Sequence, residues 1–330
     1  MWKKYKYLIV LLATTIVVFV WYLSNQKQHD VDLSQVTKTV TIHHFDDAFF
    51  TSDIGRFNEE FGILKSQFPP FFESNSDFDF WIHQRQDQGQ NQLYTDWKNQ
   101  LKNYKTFDSD LTLAFKHLYY YYPTLPEFEV YTYISNLDLE NPIIAADKYI
   151  FIGVDLYLGK NHPAYQREPD YLNYFKQKAF INRDVVEAIA LNIIPREGGS
   201  QTLLSQMIYW GKMRYFNEAM NVGINDTIVQ KMNSKQLTFC LANEENMWTY
   251  FIKNQLLYDT SFDVQRKFIE PAPFSKFGMP FDAETPGMIG RWIGYRIVSS
   301  YMKNNPAVTL KQLMKQTDTR IIFKNSKYKP

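Results

Sequence analysis

The chain has 330 residues, of which 45% are apolar and 17% aromatic, and a formal net charge of +1. That composition allows an ample core and leaves no basic excess for a nucleic-acid backbone, whose recognition needs clustered Lys and Arg. A single cysteine, Cys240, excludes an internal disulfide framework and reads as a small buried hydrophobe on an apolar helical face.

At the N-terminus, Lys3, Lys4 and Lys6 precede an uncharged run from Leu8 to Leu23. The basic flank holds the N-terminus in the cytoplasm and sends the rest across the membrane. As a helix the run spans about 24 Å, short of a bilayer core of about 30 Å. Trp2, Tyr5, Tyr7, Trp21 and Tyr22 sit where the two interfaces would be and extend the span. Bulky Val20, Trp21 and Tyr22 stand where a small-x-small cleavage site would be needed. Residues 1–24 therefore read as a signal-anchor in preference to a cleaved signal, residues 25–38 as a polar tether, and residues 39–330 as one globular domain.

KTVTIHHF (38–45) alternates as a first strand, and residues 53–68 and 93–122 have helical spacing. Between the two helices, HQRQDQGQNQ (83–92) reads as a glutamine-rich surface loop. EFEVYTYISNL (127–137) alternates again, with Phe128, Val130, Thr132 and Ile134 on one side. YYYYP (119–123) reads as aromatic packing at a helix end. KYIFIGVDLYLG (148–159) opens as a short β-rich run. From Asn182 the pattern is helical over 182–194, 200–219, 234–257, 285–304 and 309–316, with REGGS (196–200) as a cap-to-cap turn ending at Ser200. PAPFSKF (271–277) reads as a rigid strap over the core. A small early sheet followed by packed helices predicts a helix-rich, single-domain α+β fold.

Two helices carry anomalies. In 285–304, Thr285 is placed to cap and Pro286 to occupy the first turn. Gly290 and Gly294 then fall on one face, each costing roughly 1 kcal/mol against alanine. Such a cost implies a closely packed backbone or a groove kept open beside Arg291, Trp292, Tyr295 and Arg296. In 234–257, Leu237, Leu241, Trp248 and Phe251 form a stripe with Glu244 at its centre. A carboxylate there needs a cation or strong donors. The candidates are Arg291 and Arg296, Lys212 and Arg214 beside Gly211, and Arg196. Glu244 is then either half of a buried ion pair that fixes helix register or the floor of a polar pocket.

The blocks IFIGVDLYLG (151–160), LLSQMIYWGKMRYF (203–216), ANEENMWTYFI (242–252), LLYD (256–259), FIEPAPFSKF (268–277), DAETPGMIGRWIGYRIVSSYMKNN (282–305) and SKYKP (326–330) stand in one order. In this the chain resembles the gliding-motility-associated lipoprotein GldB family of Bacteroidetes-type bacteria. The resemblance implies an envelope protein of the gliding and type IX secretion machinery, with other envelope proteins as partners. A lipid anchor would need a cysteine near the N-terminus, and none precedes Cys240. The expected location is therefore a periplasmic body held at the inner membrane by residues 8–23.

The order strand, helix, loop, LLxxMIxxGKxxYF is also similar to HExxH zinc peptidases, in which two histidines share a helical face and a glutamate activates bound water. Here the corresponding helix, 182–195, has no histidine and stops at Pro195. Trp210 stands ahead of Gly211 where a ligand glutamate would be, and histidines 29, 43, 44, 83, 117 and 162 all lie earlier. His43 and His44 are adjacent on a strand and point to opposite faces, and His117 reads as a packed helix residue. Two scaffolds stay open: a zincin-like body without its metal ligands, and an unrelated α+β domain. GxSxG, GxxxxGK[ST] and GxGxxG motifs are absent.

The expectation is a protein with no catalytic residue, metal or cofactor. It would bind envelope partners around Gly290, Gly294 and Trp292, with Glu244, Trp248, Arg196, Lys212, Arg214, Arg291 and Arg296 as pocket residues. The alternative is a peptidase-like hydrolase acting on envelope material around Glu244.

Overall fold

The computed structural model describes residues 29–198, 201–278 and 282–330. The expected anchor lies outside the described residues, as does the tether before His29. None of the described helices is long and apolar enough to cross a membrane.

Four short strands form one mixed sheet: β1 (Thr41–His44), β2 (Glu129–Tyr133), β3 (Ile143–Ala146) and β4 (Tyr149–Gly153). Their order is β1-β2-β4-β3; β1, β2 and β4 are parallel, and β3 runs antiparallel to β4 at the edge. Alternation sorts the two faces. Val130, Thr132, Ile150 and Ile152 are wholly buried. On the other face His43 stacks on Tyr131 at 4.6 Å and Tyr131 on Phe151 at 5.5 Å, with Phe71 edge-on to Phe151 at 5.4 Å. β3, only IIAA, is too short to show a period and was not foreseen.

Helices longer than one turn are α1 (Phe45–Phe50), α2 (Phe57–Gln67), α3 (Phe78–Gln86), α4 (Gln88–Leu101), α5 (Tyr104–Tyr121), α6 (Ile181–Ile193), α7 (Leu203–Met220), α8 (Ser234–Ala242), α9 (Glu244–Lys253), α10 (Phe262–Phe268), α11 (Ile289–Asn304), α12 (Leu310–Lys315) and α13 (Thr319–Ser326). The chain is thus a helix-rich α+β protein. Cys240 is fully buried, and the strap 271–277 packs Phe277 against Phe251 and Phe268.

Several sequence boundaries need correction. The glutamine-rich stretch 83–92 is helical: Asp77 caps α3, Asp87 caps α4, and Gln90 is buried. The expected helix 93–122 is two helices, parted at Lys102 (φ 66°) and restarted by the Asn103 cap. Residues 234–257 divide at Asn243 into α8 and α9. The helix placed at 285–304 begins at Ile289, after Met288 in a left-handed conformation (φ 57°), so Thr285 does not cap it. The cap of α7 is Thr202, not Ser200. Helices α10 and α13 were not anticipated.

The centre of the molecule is the pair α7–α11. Nearly every side chain of α7 is buried, the behaviour of a helix surrounded by protein. The two backbones touch. A Cβ on Gly294 would lie 1.7 Å from the carbonyl oxygen of Met207, and one on Gly211 would lie 2.3 Å from the backbone of Gly294. Gly290 is closed over in the same way, 2.8 Å from the carbonyl oxygen of Phe268. The glycine groove is therefore filled from inside the chain, and the expectation of an open partner-binding notch at Gly290, Gly294 and Trp292 is overturned; Trp292 is 1% exposed.

Gly294→Ala should consequently destabilise the chain by about 3 kcal/mol or more, the upper end of overpacking costs. Gly62→Ala, inside α2 with nothing within 4 Å of its added methyl, should instead gain roughly 0.5–1 kcal/mol from helix propensity. Urea-unfolding midpoints of the two variants against wild type check both signs.

Candidate functional site

A cavity of about 540 Å³ opens beside the first turns of α6. Its walls come from the segment around residues 139–176, the turn at 231–236, and the strap residues Pro271 and Ala272 facing Pro286, Gly287 and Met288. The size is typical of small-ligand sites.

The floor is ionic. Helix α6 turns Val185, Val186, Ile189 and Ala190 into the core, leaving Asp184 and Glu187 to line the cavity. Arg183, 2% exposed, donates from Nη1 to Asp184 at 2.8 Å and from Nη2 to Glu187. Asp184 also accepts from Lys231 Nζ at 3.2 Å and from the Tyr157 hydroxyl at 3.1 Å. Burial alone would raise the carboxyl of Glu187, but Arg183 and Lys231, with Arg291, outweigh it and hold it at about 2. Behind this layer, burial and the neighbouring Arg291 and Arg183 push the Arg214 guanidinium down to about 9.

Arg291 enters from the other side. It stands in the first turn of α11, is 9% exposed, and donates from Nε to the carbonyl of Ile269 at 2.7 Å. Its guanidinium lies 3.6 Å from the ring centroid of Trp210, a stacked cation–π contact. Its two terminal nitrogens have no hydrogen-bond partner among the described residues, and the side chain lines the cavity. Burial lowers its pKa to about 10, opposed by Glu187 and Glu270.

Of the side chains singled out from sequence, only Arg291 reaches this cavity. Glu244 opens α9 and accepts from Arg296 Nε and the Tyr328 hydroxyl, each at 2.8 Å. Its pairing with Arg296 is among those expected. Its setting is not: Leu241, placed on the same buried stripe, is 56% exposed, because the helix breaks at Asn243. Trp248 packs edge-on to Tyr328 at 5.1 Å. Lys212 is buried and donates to the carbonyls of Met314 and Gln316 at 3.1 and 2.9 Å, closing the end of α12. Arg214 donates to Gln230 at 3.3 Å, and Arg196 lies over the Tyr209 ring at 4.6 Å. Arg296 is partly exposed beside Trp292. Glu244 thus stands as half of an ion pair, the first of the two readings open for it.

Sequence reasoning missed Arg183, Asp184 and Glu187. The signal was available: Arg183 and Glu187 are charged residues four apart in a helix whose neighbouring positions are Val and Ile. Lys231 gave none, since it arrives from a turn with φ 51°. Among the described residues no group of three His, Cys, Asp or Glu is placed to hold a metal ion.

A family model described as gliding motility protein GldB matches residues 26–330. The chain belongs to that family. No curated protein and no solved structure matches it. In this GldB-family chain the recognisable blocks meet in space. LLSQMIYWGKMRYF touches MIGRWIGY through Gly211 and Gly294, and ANEENMWTYFI holds SKYKP through Glu244 and Tyr328.

Two glutamates should give opposite pH responses. The carboxyl of Glu187 sits below its ordinary 4.5, so its contribution is present above pH 4.5 and lost as pH falls toward about 2. Glu218, on α7, is raised to about 7 by burial, against a hydrogen bond from Tyr295 and with Asp226 adding repulsion; His29 lies nearby at 3.9 Å. The folded state therefore holds that proton more tightly than the unfolded state. Its own contribution to stability should therefore fall as pH rises from 4.5 through about 7, against the opposite contribution of His29, whose pKa burial lowers to about 4. Melting curves between those values should lose this slope in Glu218→Gln. Glu187→Gln should lose about 3 kcal/mol at neutral pH, the cost of breaking a buried pair.

Proposed function

We propose that the chain is a non-catalytic envelope protein that supports gliding motility by binding and stabilising partner proteins of the gliding and secretion machinery, with the cavity beside α6 as its recognition site. Family membership supports the motility role and an envelope location, with the inner membrane as the expected anchor. The observation that carries the non-catalytic reading is the state of the cavity floor. In the zincin-like view of the scaffold, α6 is the helix that would present HExxH, and its four-apart pair at the cavity is Arg183 and Glu187, an ion pair. General-base catalysis favours a carboxylate poised near the working pH. Asp184 is committed to three donors, and Glu187 is held near 2.

The competing reading is a peptidase-like hydrolase. Its sequence-based acid, Glu244, is occupied by Arg296 and Tyr328, which weakens it. Replacing the genomic copy in the host provides the test. Deletion should abolish colony spreading, Glu244→Gln should retain it, and cross-linking in intact envelopes should recover gliding or secretion subunits with the chain. Normal spreading of the deletion strain would overturn the motility assignment. One tightly held transition metal per purified chain, with spreading lost in a folded Glu244→Gln, would replace the binding role by hydrolysis.

A further inference from the structure

Several buried charged groups among the described residues are already paired. The ring of His44, Thr132, Asp46, Tyr104 and Asp108 at the end of β1 is internally hydrogen-bonded around the buried Asp46 and Thr132. Asp155 is satisfied by the Ser135 and Leu137 backbone N–H groups, and Lys212 by helix-end carbonyls. Arg291 differs from these: no hydrogen bond to its two terminal nitrogens is found among the described residues, and its nine-tenths-buried side chain lines a cavity.

Its surroundings are built to hold it there. The ring of Trp210 lies against one face of the guanidinium, and Nε is anchored on Ile269. The rotamer is thus fixed before any ligand arrives, and less entropy is lost on binding. The residue that starts α11, Met288, also lines the cavity and adopts φ 57°, a conformation that costs a non-glycine residue of order 1–3 kcal/mol and persists only where the surroundings enforce it. The start of the sixteen-residue α11 therefore borders the same space. A planar fork with free N–H groups matches a carboxylate in two-point fashion.

The other groups narrow the class. Glu187 uses Oε2 for Arg183; no hydrogen bond to its Oε1 is found among the described residues, and its side chain lines the cavity. A carboxylate beside the fork disfavours a dianion such as phosphate and offers an acceptor to an N–H donor. Apolar and aromatic side chains, including Leu156, Phe175, Met232 and Pro271, supply part of the wall, and Glu168, Asp170 and Lys176 also line it.

We propose that this cavity binds the C-terminal end of an apolar peptide, with the α-carboxylate on Arg291, the adjacent backbone N–H on Glu187 Oε1, and the last side chain against the apolar wall. A free apolar amino acid carries the same carboxylate and N–H and is the other source of this chemistry. The inference rests on the binding role proposed above and names its ligand class.

The test is calorimetric titration of the purified full chain in detergent with the tripeptide Ala-Ala-Leu, the same tripeptide with a C-terminal amide, and free leucine. The acid should bind at least roughly tenfold tighter than the amide, the loss expected for one charge-assisted two-point contact. Arg291→Lys, which keeps the charge and loses the fork, should weaken the acid by a similar factor and leave the amide unchanged. The comparison of acid with amide needs no variant, so it holds if Arg291→Lys fails to fold. Leucine binding as tightly as the tripeptide assigns the site to amino acids. Equal affinity for acid and amide, or no heat with any of the three at millimolar concentration, overturns the proposal. Envelope cross-linking reports partner association through any surface, so recovered machinery subunits alongside a failed titration would leave the motility role standing with recognition moved from the cavity to elsewhere on the surface.

Discussion

Everything in the C-terminal half is arranged around one backbone contact, the crossing of α7 and α11 at Gly211 and Gly294. Two interior glycines, at 211 and 294, cost about 1 kcal/mol each in helix propensity, and Gly290 stands in the first turn of α11. The return is close approach. With the helices this near, Trp292, Ile293, Ile297, Met207 and Ile208 are essentially removed from water, and each large apolar side chain so buried contributes roughly 1.5–3 kcal/mol. Two such residues offset the glycines, and the helices bury more than two. The contact has little tolerance, because a methyl at Gly294 would meet a carbonyl oxygen and not the end of a flexible side chain.

That contact also sets the chemistry of the cavity. Arg291 stands one turn before Gly294 on the same helix, so the depth of its guanidinium follows from how closely α11 seats on α7. Trp210, against which it stacks, is the α7 residue immediately before Gly211. The ionic floor behaves differently. Arg183, Asp184, Glu187 and Lys231 satisfy one another, and buried pairs of this kind add little net stability over apolar packing. Their effect is on geometry and charge state: they hold Glu187 ionised and aimed at the cavity at any pH a living envelope meets.

The sequence spoke clearly where a pattern was long and had one cause. The alternation of Phe128, Val130, Thr132 and Ile134, the helical spacing of 200–219 and the glycine pair all led to real features. It misled where one pattern had two explanations. The periodicity around Glu244 was consistent with a continuous helix, yet Asn243 ends one helix and Glu244 starts the next, which puts Leu241 in solvent. Glutamines at 83–92 suggested a loop, but aspartates at 77 and 87 are helix caps, and caps outweigh a merely polar composition. The groove was half legible: two glycines announced that something comes close, but not that it would be a backbone from the same chain.

The cavity itself was nearly invisible beforehand, because it is made by pieces distant in sequence: α6, a turn at 231, a proline-rich strap and the start of α11. Each is unremarkable by local rules, apart from a charged pair on an apolar helix and a methionine in a left-handed conformation that no composition predicts. Here the local exceptions converge on one space. Met288 is strained, Arg291 is only partly satisfied, and Glu187 is kept charged against the cost of burial. Beside α6 these three share one cavity. A fold that keeps such terms together beside α6, while closing its glycine groove to contact distance, leaves there a place where a ligand has much to offer.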